Sequence, residues 1–90
     1  MEFETIWQRI VSNQGNTFVL KRGAEFTYAV VHGCVLPNRT NRQLPKSQFQ
    51  LAWGRLPLAG PGELQDLQGP SYLYAILVDS RIAQAGATAW

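Results

Sequence analysis

The sequence predicts a single α+β domain: a short three-stranded antiparallel sheet over about residues 17–37, with one helix before it and two or three after it. Three observations carry this. Apolar residues recur at helical spacing up to residue 11 and again after residue 47, and they alternate at a spacing of two in between. Glycines at 15, 23 and 33 punctuate the alternating part. A chain of 90 residues has material for one core, and residues 1–82 are expected to form it, with 83–90 a loosely held tail.

The first helix follows from Phe3, Ile6, Trp7, Ile10 and Val11, which fall on one face, with Glu2 and Glu4 at the end where a helix dipole favours negative charge. Gly15 suits a left-handed residue closing that helix. Phe18, Leu20, Phe26, Tyr28 and Val30 then define the inner face of strands over Thr17–Arg22 and Phe26–Val31. Arg22-Gly23-Ala24-Glu25 turns the chain between them, and His32-Gly33 turns it again before Cys34–Leu36. Pro37 has no N–H to donate and belongs at a strand end.

Asn38–Gln43 contains no apolar residue and reads as an arm, after which Leu44 and Pro45 re-anchor the chain. Ser47 and Gln50 fit a capping box, which predicts a second helix with Phe49, Ala52, Trp53 and Leu56 on its buried face and Pro57 ending it. Glu63–Leu67 fits one helical turn. Pro70 suits a first helical position, so Tyr72–Ile82 is expected as an unbroken third helix. Tyr72 and Tyr74 cannot share one face of it, which leaves one of them turned outward.

Charge is distributed unevenly. Net charge is +2, yet Lys21, Arg22, Arg39, Arg42, Lys46 and Arg55 face only Glu25 between residues 21 and 55. Arginine offers a planar fork of donors to phosphate, and asparagine both donates to and accepts from base edges. Arg39, Arg42, Asn41, Lys21, Arg22 and Lys46 are therefore the candidate contacts for nucleic acid or another polyanion. The plainer reading is that they are solvated surface charges, and a pI near 9.0 is modest for a nucleic-acid binder. The alternative is a protein-interaction or self-association module, a homodimer included, that uses Tyr72 and Tyr74 or an open sheet edge.

No catalytic constellation is visible, and an enzyme is not expected. His32 and Cys34 supply two ligands where a zinc site needs three or four, so no metal or cofactor is expected either. Glu63, Asp66 and Asp79 read as solvated or helix-end carboxylates. The serine of Gly69-Pro70-Ser71 lacks the glycine on both sides that a nucleophile elbow requires, and Gly60-Pro61-Gly62 lacks the lysine of a phosphate loop. The N-terminus has no signal-peptide pattern. The longest apolar run, Tyr72–Val78, is far short of the roughly 20 residues that span a bilayer. With one cysteine, the expected setting is the cytoplasm, with no membrane partner.

Gly15-x-x-Phe18, Gly23-x-x-Phe26-x-Tyr28, Arg39-Thr40-Asn41-Arg42 and Ser47-x-Phe49 together resemble the pattern of a small uncharacterised bacterial domain. The resemblance covers about residues 6–82. It implies no established activity and assigns no functional residue.

Overall fold

The computed structural model describes residues 2–83. The first apolar stretch forms α1 (Phe3–Ser12), which buries Ile6, Trp7 and Ile10 as its spacing requires. Gly15 takes φ +88° just beyond this helix, and its N–H donates to the Tyr28 carbonyl at 2.9 Å. The helix stop thereby also fixes where the next layer lies.

The strands keep the expected meander order, but the middle strand is broken and a further strand is added. β1 (Phe18–Val19) pairs with β2 (Glu25–Phe26), and β3 (Tyr28–Val31) pairs with β4 (Cys34–Pro37), which in turn pairs with β5 (Leu44–Pro45). All pairs are antiparallel, giving one two-stranded and one three-stranded sheet. The break falls at Thr27. Its N–H donates to Asn38 Oδ1 and its carbonyl accepts from the Asn38 N–H, both at 2.9 Å, so it leaves the ladder to root the arm. The free edge of β3 is covered by α1's C-terminal turn, where Gln14 Oε1 accepts the Val30 N–H at 2.9 Å.

The β3–β4 turn places His32 at φ +52° and Gly33 at φ +75°. Two successive left-handed residues make the tight hairpin that matches strand twist. His32 is therefore a turn residue by geometry.

Four helix boundaries differ from the sequence expectation, one of them the end of the second helix, which stops at Trp53, short of Leu56 and Pro57. The second helix, α2 (Lys46–Trp53), starts one residue before Ser47, with Pro45 as its N-cap and no side-chain cap hydrogen bond. Because β5 runs directly into it, strand pairing sets its start, and no capping box forms. The short turn expected at Glu63–Leu67 is a 3-10 turn at Pro61–Leu64. The third helix stops early. α3 (Pro70–Leu77) begins at Pro70 as expected, but α4 (Ser80–Ala83) is separate from it. Asp79 makes the break: its carboxylate accepts the Arg81 N–H at 2.9 Å, and its carbonyl accepts from Ile82 and Ala83. Aspartate favours this N-cap role over a helix interior. α4 is described as far as Ala83, and the rest of the expected tail lies outside the described residues.

The core lies between α1, the inner strand faces, α2 and α3. Phe18 packs on Phe26 and Tyr28 with ring centroids 6.0 and 5.2 Å apart, and Trp7 meets Phe49 at 6.1 Å. The Tyr28 hydroxyl donates to the Ile10 carbonyl at 2.6 Å, tying sheet to helix. Of the expected inner-face residues, only Val30 is not fully buried. Among the described residues, no helix is long and apolar enough to cross a membrane.

Candidate functional site

The arm that follows β4 is pinned at both ends. Asn38 locks it to Thr27, and Leu44 enters the sheet opposite Val35. Between these anchors the Thr40 N–H donates to the Pro37 carbonyl at 3.5 Å, and Thr40 Oγ1 accepts the Arg42 N–H at 3.2 Å. This compact turn presents Arg39, Asn41 and Arg42 to solvent.

Opposite the arm lies the start of α3. Gly69, in the left-handed conformation at φ 56° and ψ 51°, lets the chain pass directly over Leu44. Ser71 and Tyr72 follow in the first helical turn. Arg39 and Arg42 on one side, and Gln65, Ser71 and Tyr72 on the other, line a cleft of about 430 Å³. The Tyr72 ring is set edge-on against Phe26, with centroids 5.0 Å apart and planes at 89°. A second concavity of about 240 Å³ lies on the other side of Ser71, lined by Leu20, Lys21, Arg22 and Pro61. The two basic pairs thus flank one serine.

The remaining cations are held by the fold itself. Arg9 donates to the Ile82 carbonyl at 2.9 Å. Arg55 makes a bidentate pair with Asp66 at 2.6 and 2.8 Å. Arg81 grips Asp79, donates to the Thr17 carbonyl at 2.7 Å and lies 4.0 Å over the Phe18 ring. Lys46 pairs with Glu4 at 2.6 Å and sits 5.7 Å from the Trp7 ring centroid. Its N–H donates to the Gly33 carbonyl, which puts it at the hairpin end of β4, the end away from the arm. Lys46 therefore does not join Arg39 and Arg42. Lys21 gives one bond to the Ala59 carbonyl at 2.9 Å and stays exposed. Among the described residues, the guanidinium groups of Arg22, Arg39 and Arg42 make neither a hydrogen bond nor an ion pair with the protein.

These pairings set the titrations. Hydrogen bonds from Lys46, Arg55 and Arg81 hold the carboxyls of Glu4, Asp66 and Asp79 below the ordinary carboxylate range. Burial pushes the Tyr28 hydroxyl well above its ordinary value.

The groups considered for catalysis are dispersed. Glu63 accepts the Ala59 N–H at 2.9 Å, while Asp66 and Asp79 face their own arginines. Cys34 lies opposite Val31 and Pro45 in the sheet, while His32 is exposed at the turn. Among the described residues, no three or more of His, Cys, Asp and Glu gather where they could hold a metal ion.

Tyr72 and Tyr74 are both half-buried against the core, so neither is turned fully outward. Tyr72 belongs with the arginines of the arm. Gln65 and Ser71 join the cleft without any signal in the charge pattern, because only tertiary packing brings residues 65–72 beside the arm. A separate apolar groove of about 420 Å³ runs between Trp53, Leu56, Pro57, Leu58, Leu77 and Val78.

No family model, no curated protein and no solved structure matches the chain. The motif resemblance over residues 6–82 accordingly gives no residue a role.

Proposed function

We propose that the protein is a non-catalytic binding domain for nucleic acid or another polyanion, engaged by Arg39 and Arg42 with Asn41 between them, and by Lys21 and Arg22 across Ser71. One observation carries the reading. Arg22, Arg39 and Arg42 have no partner of their own among the described residues, whereas Arg9, Lys46, Arg55 and Arg81 are tied into the fold. The anchored turn limits the backbone freedom lost on binding, and the planar fork of a guanidinium suits phosphate geometry.

The test is fluorescence anisotropy of labelled DNA and RNA against salt. Three or four phosphate contacts to a single strand give a slope of log K against log salt of about −2 to −3. Absence of binding at about 50 mM salt contradicts the proposal.

A second reading, contact with a protein partner or a second copy, is favoured by the apolar groove between Trp53 and Val78 rather than by Tyr72 and Tyr74. Light scattering across concentration separates the two: a stable dimer without nucleic-acid affinity supports the second.

A further inference from the structure

We infer that the cleft between the arm and α3 takes an unpaired nucleotide, so that the nucleic acid bound is single-stranded, with its base against Tyr72 and its phosphate held by Arg39 and Arg42. The inference rests on the polyanion-binding proposal and specifies its ligand.

Shape argues first. Proteins that read duplex grooves insert a convex element, a helix or a two-stranded ribbon, into a major groove about 12 Å wide. The arginines here instead line a concavity of about 430 Å³, within the range of roughly 300–1,000 Å³ that suits small ligands. A single nucleotide can enter such a space, but a base pair held in its stack cannot.

The lining argues next. Phosphate alone needs only cations, yet this cleft also contains an aromatic ring, an amide and a hydroxyl. Tyr72 is half-buried, lines the cleft and packs edge-on against Phe26, so it can offer a base its open surface without a large loss of side-chain freedom. Stacking on such a ring tolerates any base. Gln65 carries both a donor and an acceptor that match a base's Watson–Crick edge.

Continuity argues last. Ser71 lines both this cleft and the smaller one beside Lys21 and Arg22. A strand whose base sits at Tyr72 can therefore run past Ser71 and set its next phosphate near the second basic pair. Each pair then meets a backbone phosphate on either side of the bound base.

The experiment uses the full chain with fluorescein-labelled oligo(dT) and oligo(rU) of about twelve nucleotides, a duplex of equal length, and inorganic polyphosphate as a competitor without bases. The single strands are expected to bind roughly tenfold more tightly than the duplex, with the dT and rU arms reporting whether the 2′-hydroxyl contributes. Tyr72→Leu keeps an apolar group beside Phe26 but removes the stacking face. It is expected to weaken single-strand binding roughly fivefold or more and to leave polyphosphate affinity unchanged. Cross-linking of the unaltered protein to 4-thiouracil-substituted oligo(rU), followed by peptide mapping, checks the site without relying on a variant that folds. The adduct is expected within residues 65–72 or 39–42. Equal affinity for duplex and single strand, with no effect of Tyr72→Leu, overturns the inference and leaves the polyanion reading standing, as does an adduct elsewhere. No binding to any of the four probes at about 50 mM salt overturns both.

Discussion

Gly69 rests on Leu44 with no room for a side chain between them: a β-carbon at position 69 would stand 2.8 Å from Leu44 Cδ2 and 3.2 Å from Cδ1. Through this contact the start of α3 lies directly on β5, which keeps Ser71 and Tyr72 across from the arm. Leu44 is fully buried and cannot swing aside freely. Gly69→Ala therefore incurs both a left-handed backbone penalty and an overlap, about 2–4 kcal/mol together. Urea denaturation is expected to show a clearly lowered midpoint, and an unchanged midpoint contradicts the packing described.

Arg81 joins α4 to β1 by holding Asp79, the Thr17 carbonyl and the Phe18 ring at once. Arg81→Ala is expected to cost about 1–2 kcal/mol, and Arg81→Lys to recover little of it, because lysine lacks the planar fork. The pair also sets an acid dependence. The Arg81 hydrogen bond lowers the Asp79 pKa from its ordinary 3.8, so folding is favoured above that value and the contribution is lost as pH falls below it. Thermal melts of Asp79→Asn are expected to show a flatter decline below about pH 4 than those of the parent.

Tyr28 governs the alkaline side. Its buried hydroxyl is held protonated in the folded state, so the folded pKa exceeds the unfolded one. The stability this gives is complete below the ordinary tyrosine value of 10.0 and is lost as pH rises above it. Tyr28→Phe is expected to remove that alkaline loss in melts between about pH 9 and 11. At neutral pH it costs only about 1 kcal/mol, since the Ile10 carbonyl also accepts the Asn13 N–H at 3.3 Å.

Much of this fold was legible where one local pattern decided the outcome. The spacing of Ile6, Trp7 and Ile10 located α1 and its buried face, and Pro70 marked the start of α3. The losses came where partners were needed. Alternation across Phe26–Val31 does not reveal that Thr27 will leave the ladder for Asn38, eleven residues on. Leu44 and Pro45 are too short a strand to carry a period. No glycine or proline interrupts Tyr72–Ile82, so nothing in that run marks the break at Asp79 except the aspartate itself, a capping residue. At the candidate site, composition identified the arginines but not which cations the fold itself engages. By composition Lys46 is equivalent to Arg42, and only the fold places Glu4 beside it.

That distinction is testable. Lys46→Gln, which removes the pair with Glu4 at 2.6 Å, is expected to leave the urea midpoint nearly unchanged because the pair is exposed. It is also expected to leave nucleic-acid affinity within about twofold of the parent, where a phosphate-contacting lysine would reduce the salt slope by about one unit. Anisotropy titrations of the variant across salt read affinity and slope, and urea denaturation reads stability.

The most direct measurement of the central claim is a salt titration of single-stranded DNA binding by the parent protein and by Arg39→Glu/Arg42→Glu. Both positions are exposed on the arm, so the substitutions leave the core untouched. The parent is expected to bind at about 50 mM salt with a slope of about −2 to −3, and the double variant to lose roughly thirtyfold or more in affinity and about half of that slope. A double variant that binds as tightly as the parent, with the same slope, contradicts the account.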